Sequence, residues 1–414
     1  MKKIFKYMKN LCAIIIVLSM VVNLSACKAE KDSKQKKINI FIDTTDKYSS
    51  NAIKFLIDDY KINNPDVEIK MNDTYGNKRD ILETINLGTE IDVIFTNRNK
   101  LIELSKKGVL SDLQSVYQKE AIGDRYYDIM GTYGRVGDKY YGIGVVPYSI
   151  ELLYNKEYLG KLKISNPNNL EGWLNVLKQV NAKGIKTPIA LTEDIDANGF
   201  LFSLTASKVI NIHDLEESYD SGEEGYKKLK AMQKAFDGFN SLIKNSEITM
   251  NSFEVGNEQS INNFNKGETP LFACISYYNS KLNGTNIGII EDYENNSNYG
   301  SNVPIIVNSL LCVPINAENG DNANAFIKYI YSDDVQARIV QKGIISGNKI
   351  ANNKVTGLGK IMVQHIYKAN DNSIFILYNL PDKIKNGVLT VIRKILEGGY
   401  NSKEWEELIQ KSYQ

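Results

Sequence analysis

Histidine, tryptophan and cysteine are scarce in this 414-residue chain, which contains two, two and four of them. With only His213 and His365 available, a histidine-based catalytic triad or a zinc cluster has almost nothing to use. Neighbouring acids such as Asp58–Asp59 and Glu216–Glu217 could be hydrolase carboxylates, but on helix faces they are most simply solvated or capping residues. The composition therefore argues against an enzyme, and we expect no cofactor and no metal.

Long apolar runs are also few, and the first residues carry the longest. Four lysines among the first nine residues precede Leu11–Val22, which is almost wholly apolar, and small residues follow before Cys27. This pattern predicts a secretory signal peptide over residues 1–26, because about a dozen apolar residues are too few to span a bilayer core of about 30 Å. The end of the segment resembles the bacterial lipobox, which implies cleavage before Cys27 and lipidation of its thiol. An ordinary signal peptide that happens to contain a cysteine is the alternative.

The charge balance changes once this leader is removed. Its four lysines are accompanied by no acid, so the net charge falls from +1 to −3, which argues against a nucleic-acid surface. Residues 27–36 would form a lipidated, charged tether. We therefore expect the protein to be anchored by lipid on the extracytoplasmic face of the cell membrane. In that location Cys274 and Cys312, both in apolar segments, could form a disulfide or remain buried free thiols.

Strand and helix patterns alternate from residue 37 onward. Lys37–Asp43 (KINIFID) is typical of a buried strand, and Ile91–Thr96 is the third strand predicted, with helical spacing in the intervening segments. Such spacing predicts parallel βαβ units in an α/β sheet. Because ligands bind beyond the carboxyl ends of these strands, Thr44, Asn97 and Arg98 are candidate binding residues. Alternatively, each of them caps the helix that follows.

The alternation resumes from residue 138. The patterns predict two strands around Pro147, a helix over Asn169–Lys183 that contains Trp173, one helix over Gly225–Lys244 and one strand over Pro304–Val313. Without its leader the chain has about 390 residues, more than one hydrophobic core usually supports, so two lobes are expected. No proline- or serine-rich linker separates them. That absence predicts lobes joined by several crossing strands.

Several segments together resemble one protein family. VGDKYYGIGVVPYSIELLYNKEYL (Val136–Leu159) and NPNNLEGWLNVLKQVNAKGIKTPIAL (Asn166–Leu191) resemble the family-1 extracellular solute-binding proteins of ABC importers, the maltose-binding-protein type. FNKGETPLFACISYY (Phe264–Tyr278) resembles the other recurring segment of that family, and Glu90–Leu113 and Ala323–Ile339 fit as well. In this order, the segments cover most of the chain.

The resemblance implies an α/β fold of the periplasmic-binding-protein type, with two lobes. Each lobe would be a mixed β-sheet flanked by helices, and strands crossing between the lobes would form the hinge. By position, the first lobe would take residues 37–147 and 309–353, and the second lobe residues 148–308 and 354–414.

The resemblance also implies aromatic ligand contacts. Tyr148 matches a position where the family often places a ligand-contacting side chain, and Tyr277 matches the pocket aromatic, with Tyr278 beside it. This chain departs from the family because no tryptophan falls on a matched pocket position: Thr96 stands at one of them, and Trp173 matches a structural tryptophan. A tyrosine can both stack on the apolar face of a sugar and bond to its hydroxyls. Alternatively, Tyr277 and Tyr278 fill the core and the rim.

The function implied is that of a lipid-anchored solute-binding protein. It would capture a small solute, a carbohydrate, in the cleft between the lobes and deliver it to the permease subunits of an ABC importer by lobe closure. We expect it to be a monomer. Two alternatives stay open: a sensory or adhesive solute-binding lipoprotein without its own permease, and a lipid-anchored hydrolase.

Overall fold

The computed structural model describes residues 36–44, 46–73, 80–291, 293 and 303–414. The predicted signal peptide, the lipidation site Cys27 and all but the last residue of the tether lie outside the described residues. In these ranges the strands are β1 Lys36–Asp43, β2 Val67–Asp73, β3 Val93–Thr96, β4 Arg135–Val136, β5 Lys139–Tyr140, β6 Ile143–Gly144, β7 Tyr148–Asn155, β8 Thr187–Ala190, β9 Phe253–Val255, β10 Leu271–Ile275, β11 Ile287–Ile289, β12 Ile305–Ile306 and β13 Leu310–Cys312.

Helices connect and cover these strands. The α-helices are α1 Lys47–Asn63, α2 Ile81–Asn86, α3 Arg98–Lys106, α4 Gln114–Lys119, α5 Ile122–Arg125, α6 Ile129–Thr132, α7 Lys156–Lys161, α8 Leu170–Asn181, α9 Ala197–Ala206, α10 Ile212–Ser218, α11 Gly222–Lys228, α12 Lys230–Asn245, α13 Glu258–Asn265, α14 Gly320–Ile330, α15 Asp333–Gln341, α16 Leu358–Tyr367, α17 Asp382–Leu396 and α18 Glu404–Tyr413. Short 3-10 helices cover Ser276–Lys281, Ala351–Lys354, Asp371–Ser373 and Ile376–Asn379.

The first lobe is built on a five-stranded sheet in the order β2-β1-β3-β13-β6. β1 is parallel to both β2 and β3, and Asp43 lies opposite Thr96, so the predicted parallel βαβ units are confirmed. β13 runs antiparallel to β3 and β6, which makes the sheet mixed. Helix α1 covers this sheet with a buried stripe that includes Ile53, Leu56 and Tyr60, at the helical spacing that the sequence predicts.

The second lobe is built on a six-stranded sheet. Its order is β11-β7-β10-β8-β9, with β12 also paired to β7. β10, β8 and β9 are mutually parallel neighbours, whereas β7 is antiparallel to its partners. Trp173 on α8 is 1% exposed, and its indole N–H donates to the carbonyl oxygen of Leu153 on β7 at 3.1 Å. The predicted structural role of this tryptophan is confirmed.

The chain passes between the lobes where the sequence predicted a single strand. Pro304–Val313 in fact contains two short strands, β12 in the second sheet and β13 in the first. The single-strand prediction is wrong because the polar pair Asn308–Ser309 marks a break between two apolar runs, at which the chain changes sheets. A second crossing separates β6 from β7 at residues 145–147. The two-lobed fold with crossing strands is therefore as predicted, and the lobe boundaries stay a prediction.

Two further expectations are settled by the fold. The helix predicted over Gly225–Lys244 is interrupted at Leu229, where α11 ends and α12 begins. Cys274 and Cys312 are buried free thiols in different sheets, and burial raises the pKa of each above its ordinary value. Within the described ranges, none of the helices combines the length and apolar character needed to cross a membrane.

Candidate functional site

The two lobes meet at the carboxyl ends of the first-lobe strands. Residues after β1 contact the segments that follow β8 and β10, and Arg98 after β3 contacts α10 and the 3-10 helix Ile376–Asn379. Two distinct groups of side chains make this contact. We call the first the tyrosine cluster, formed by Tyr48, Tyr148, Tyr277 and Tyr278, and the second the arginine contact, formed by Arg98 with its hydrogen-bond partners.

The tyrosine cluster brings four rings from both lobes together. The centroid of the Tyr277 ring lies 4.7 Å from that of Tyr48, 6.0 Å from that of Tyr148 and 5.6 Å from that of Tyr278. The hydroxyl groups of Tyr48 and Tyr278 are hydrogen-bonded to each other across the lobes. Tyr277 is half-buried, whereas the other three are at most 5% exposed. The three tyrosines predicted as ligand contacts therefore lie side by side.

Tyr48 is the member of the cluster that sequence reasoning missed. The apolar residues at helical spacing after the first strand begin at Ala52, so that pattern does not include Tyr48, whereas α1 begins at Lys47. A signal was available in Asp46, because an aspartate before a helical pattern is a typical N-cap. That cap places the next two residues at the carboxyl end of β1, where ligands of α/β sheets bind.

Asp46 is a buried carboxylate beside the cluster. It caps α1 by accepting hydrogen bonds from the backbone N–H of Tyr48 at 2.9 Å and from the hydroxyl of Ser49 at 2.6 Å. Burial raises its pKa from 3.8 to about 6, and repulsion from Asp194 and Glu193 in the second lobe adds to the increase. Asp46 is therefore costly to keep ionised in this position.

Asp194 lies in the loop after β8 and is oriented by a short chain of hydrogen bonds. The hydroxyl of Tyr378 donates to its Oδ2 at 2.7 Å. The amide Nδ2 of Asn308, in the crossing segment between β12 and β13, donates in turn to the Tyr378 oxygen at 3.0 Å. This chain links the crossing segment to the second-lobe side of the cleft.

Several buried polar atoms in this region have no hydrogen-bond partner among the described residues. They are Tyr148 Oη, Thr192 Oγ1, Asp194 Oδ1 and Asn308 Oδ1. The other such atoms belong to second-lobe residues on separate elements, Asn181, Thr187, Ser203 and Thr269. Leaving a buried polar group unpaired costs about 1–3 kcal/mol, and native proteins keep such groups few. Thr192 and Asp194 line a pocket between the lobes, whereas Tyr148 and Asn308 lie on the two segments that cross between the lobes. This region is therefore a candidate site for an outside molecule.

A pocket of about 580 Å³ opens between the lobes on the Tyr48 side of the tyrosine cluster, and the other three tyrosines do not line it. Lys47 and Tyr48 line it from the first lobe, and Thr192 and Asp194 line it from the second. The Lys47 ammonium lies 3.0 Å from a carboxylate oxygen of Glu193 and 4.8 Å from the centroid of the Tyr48 ring. The volume of the pocket is within the range of about 300–1,000 Å³ that small-molecule sites occupy.

The arginine contact is fully buried and fully bonded. Arg98 is 0% exposed, and its Nε donates to the Oδ1 atom of Asn379 in the second lobe at 2.7 Å. Its Nη1 donates to the backbone oxygens of Tyr133 at 2.7 Å and Arg135 at 3.0 Å, and its Nη2 pairs with Glu216. Glu216 was expected to be solvated or capping, and this prediction is wrong because the ion pair buries it to 5% exposure.

Asp59 is a second correction among the acidic pairs. It was also expected to be solvated or capping, but it forms an ion pair with Arg338, with Oδ2 lying 2.7 Å from Nη2. Asp58 beside it is exposed, as expected. Both corrections have the same cause, because the arginine partners lie far away in the sequence.

Thr44 and Asn97 both have contacts within the protein. Thr44 is 6% exposed, and its Oγ1 accepts a hydrogen bond from the backbone N–H of Asp46 at 3.4 Å. Asn97 caps α3 by accepting from the backbone N–H of Lys100 at 3.0 Å, which is the alternative role expected for it. Ligand binding by Thr44, Asn97 or Arg98 stays a prediction.

The two histidines occupy separate places and share no site. The ring of His213 lies between carboxylate oxygens of Glu216 and Asp371, at 3.4 and 3.2 Å, at the edge of the arginine contact. His365 is buried in the second lobe with its Nδ1 2.9 Å from a Glu151 oxygen. Burial lowers the pKa of His365, but Glu151 and the backbone oxygen of Glu291 together raise it more, so its pKa lies above 6.5.

Comparisons with known proteins agree with this architecture. A family model described as bacterial extracellular solute-binding protein matches residues 56–357, well over half of the chain. A search of curated proteins gave no match.

Solved structures similar to this chain include three from named bacteria. An ABC transporter solute-binding protein from Thermotoga lettingae TMO, bound with alpha-D-tagatose, is 14% identical, with 91% of this chain and 99% of that chain covered and a TM-score of 0.64. A family 1 extracellular solute-binding protein from Bifidobacterium longum subsp. infantis is 16% identical, with coverages of 92% and 99% and a TM-score of 0.65. The sugar-binding protein MalE from Xanthomonas citri is 16% identical, with coverages of 91% and 96% and a TM-score of 0.65. At these identities the likeness shows the fold.

Proposed function

The chain belongs to the bacterial extracellular solute-binding protein family, and we propose that it captures a carbohydrate in the cleft between its lobes. Its family and its structural neighbours are binding proteins and not enzymes. The observation that carries this proposal is the interlobe group of buried, unpaired polar atoms beside four tyrosine rings.

The chemistry of a sugar fits such a surface. A sugar ring has an apolar C–H face and a rim of hydroxyl groups. Tyrosine rings provide rigid apolar plates for the face, and the half-buried Tyr277 is the member of the cluster whose ring is most accessible. The unpaired oxygens of Asp194 and Asn308 could accept hydrogen bonds from the rim hydroxyls. Proteins described as binding tagatose, raffinose and maltose share this fold, which supports a carbohydrate.

The ligand contacts that we propose come from both lobes. Tyr277 and Tyr278 belong to the second lobe, Tyr148 begins β7 at the crossing, and Thr44 follows β1 in the first lobe. A solute that touches both lobes stabilises the closed state over the open state by its differential contacts. Asn97 and Arg98 also stay proposed contacts, but each would have to give up a bond that it makes within the protein.

Delivery completes the proposal. We propose that Cys27 is lipidated, that the protein works as a monomer on the extracytoplasmic face of the membrane, and that ABC importer permease subunits recognise the closed form. The lipid would keep the protein near its permease. Cys27→Ser should abolish incorporation of a fatty-acid probe in metabolic labelling, because thioether lipidation needs the thiol. Equal labelling of the variant would rule out the anchor.

Calorimetry and scattering of the purified protein test capture and closure. Titration with monosaccharides and short oligosaccharides, beside amino acids and polyamines, should give saturable binding for at least one saccharide, and its melting temperature should rise by mass action. The radius of gyration should decrease when that saccharide is added. Binding confined to amino acids would contradict carbohydrate capture, and binding without compaction would contradict closure.

A further inference from the structure

Two carboxylates at the cleft, Asp46 beside the tyrosine cluster and Asp194 in the pocket lining, lack a cationic partner. Among the described residues, no lysine or arginine forms an ion pair with Asp46 or Asp194, whose observed partners are neutral donors. The nearby cations are committed elsewhere: Lys47 pairs with Glu193, and Arg98 pairs with Glu216. Burying a charge without a counter-charge is expensive, and Asp46 is 0% exposed while Asp194 is partly exposed with a buried Oδ1. The cleft as observed is therefore electrostatically incomplete.

The pocket beside these carboxylates has an excess of negative charge. Of its described lining residues, four carry carboxylates and one carries an ammonium group, and they are Glu193, Asp194, Asp196, Glu254 and Lys47. Such a pocket attracts cations and repels anions, because charges of one sign around a cleft focus the field within it.

The unpaired atoms show which hydrogen-bonding groups are missing. Asp194 Oδ1 accepts hydrogen bonds when the carboxylate is ionised. Because the Tyr378 hydroxyl donates to Asp194, its oxygen must accept from Asn308, which points the amide Nδ2 toward Tyr378 and leaves Asn308 Oδ1 as an acceptor. Two of the four unpaired atoms are therefore acceptors only, and the hydroxyls of Tyr148 and Thr192 can also accept. The complementary ligand is rich in donors.

From these observations we propose that the solute is an amine-bearing carbohydrate, an inference that rests on the carbohydrate capture proposed above. Its ammonium group binds between Asp194 and Asp46, and its ring lies against the tyrosine cluster. A protonated amine supplies both the missing charge and the missing donors, whereas a neutral hydroxyl supplies only donors. The faces of the tyrosine rings also attract cations. The raised pKa of Asp46, about 6, is consistent with a carboxylate that lacks its cation.

Matched sugars test this inference on the unaltered protein. Glucosamine, galactosamine and the chitosan disaccharide would each be titrated beside its N-acetylated form and its neutral parent sugar at pH 7.5. At least one amine should bind roughly tenfold or more tighter than both of its counterparts, because an ion pair and charge-assisted hydrogen bonds are lost without the charge. Acetylation removes the charge and keeps the skeleton, so the comparison isolates the ammonium group.

A charge-removing variant locates the amine. Asp194→Asn keeps the shape of the side chain and removes its charge, so the preference for the amine should fall by roughly tenfold. Asp214→Asn is the matched control, since Asp214 is exposed on α10 and lies outside the pocket, and it should keep the preference. If Asp194→Asn does not fold, the matched sugars still decide the matter.

The outcomes separate this inference from the proposed function. If the N-acetylated or parent sugars bind as tightly as the amines, or if no amine-bearing sugar binds while a neutral one does, the amine inference is overturned and carbohydrate capture stands. If spermidine binds in an Asp194-dependent way while no sugar of either kind binds, carbohydrate capture fails. An unchanged amine preference in Asp194→Asn would overturn the placement at this carboxylate.

Discussion

The arginine contact and the tyrosine cluster are two buried contacts between the same lobes. They differ in how many of their polar atoms have hydrogen-bond partners. Both follow strands of the first-lobe sheet, and each involves a charged group with almost no exposure, Arg98 in the arginine contact and Asp46 beside the tyrosine cluster. Arg98 uses each of its nitrogens as a donor within the protein, whereas the cleft retains acceptors with no donor. Burial alone does not distinguish a structural contact from a binding site, but the balance of hydrogen bonds does.

The physical reason lies in the cost of burying charge. A buried guanidinium is tolerated when a carboxylate and several oxygens replace the water that it loses. Burial raises the pKa of Asp46, and its two side-chain hydrogen bonds, without a cation, do not offset that rise. We therefore expect the arginine contact to contribute to stability and the cleft to contribute to binding.

Breaking the arginine contact should have the largest effect. Arg98→Met leaves Glu216 buried without its cation, and the free energy of unfolding should fall by about 3–5 kcal/mol, measured by urea denaturation. The double variant Arg98→Met with Glu216→Gln should recover part of that loss, because the orphaned charge is removed. A single variant as stable as the unaltered protein would show that this contact does not hold the lobes.

Removing the charge of Asp46 should raise the free energy of unfolding, whereas breaking the arginine contact should lower it. Because its folded pKa, about 6, exceeds its ordinary value of 3.8, the folded state binds a proton more readily than the unfolded state. Its contribution therefore favours folding most below about pH 4 and is lost as the pH rises to about 6. Asp46→Asn keeps a capping side chain and should stabilise the ligand-free protein by up to about 3 kcal/mol at pH 8.

Urea denaturation at pH 4 and pH 8 tests whether Asp46→Asn stabilises the protein only at the higher pH. The difference between Asp46→Asn and the unaltered protein should nearly vanish at pH 4, where the carboxyl is largely protonated in the folded state. Ser49→Ala is a useful control, since it removes one hydrogen bond to the carboxylate and should not stabilise the protein at pH 8. A variant less stable than the parent at pH 8 would mean that the cleft already stabilises the ionised form.

Truncating the accessible tyrosine should affect binding more than stability. Tyr277→Ala should weaken capture of the saccharide that binds by roughly tenfold to a hundredfold, about 1–3 kcal/mol, because a stacking face is lost. Calorimetry measures the affinity, and denaturant unfolding measures the stability. Trp173→Ala is the contrasting variant, expected to cost about 3 kcal/mol or more of stability with binding retained. If Tyr277→Ala binds normally and unfolds easily, the tyrosine belongs to the core.

The smallest effect is expected at the rim of the arginine contact. His213 is 41% exposed, and its neighbouring carboxylates also have other partners. His213→Gln should change the free energy of unfolding by less than about 1 kcal/mol near pH 7, because exposed ion pairs are worth little. If urea denaturation shows that the free energy of unfolding falls by more than about 2 kcal/mol, His213 is an integral part of the arginine contact.

Much of the local structure could be predicted because it depends on spacing along the chain. The stripe on α1 and the strands flanking it follow from apolar periodicity, and Trp173 was assigned correctly from a matched segment. The resemblance to the family, and not spacing, implied Tyr148, Tyr277 and Tyr278, and these three residues do lie together. The break between β12 and β13 was missed, since periodicity does not reveal which sheet a strand joins.

The sequence by itself determined the alternation of strands and helices and the need for two lobes, and its resemblance to a family pointed to three of the four tyrosines. Only the tertiary structure decided which polar groups are paired. Arg98 meets a carboxylate 118 residues away, and Tyr48 meets a hydroxyl 230 residues away. Whether a buried atom finds a partner depends on how the two lobes are placed against each other, and no local pattern carries that information. For this reason the arginine contact and the incomplete cleft became distinguishable only in the folded chain.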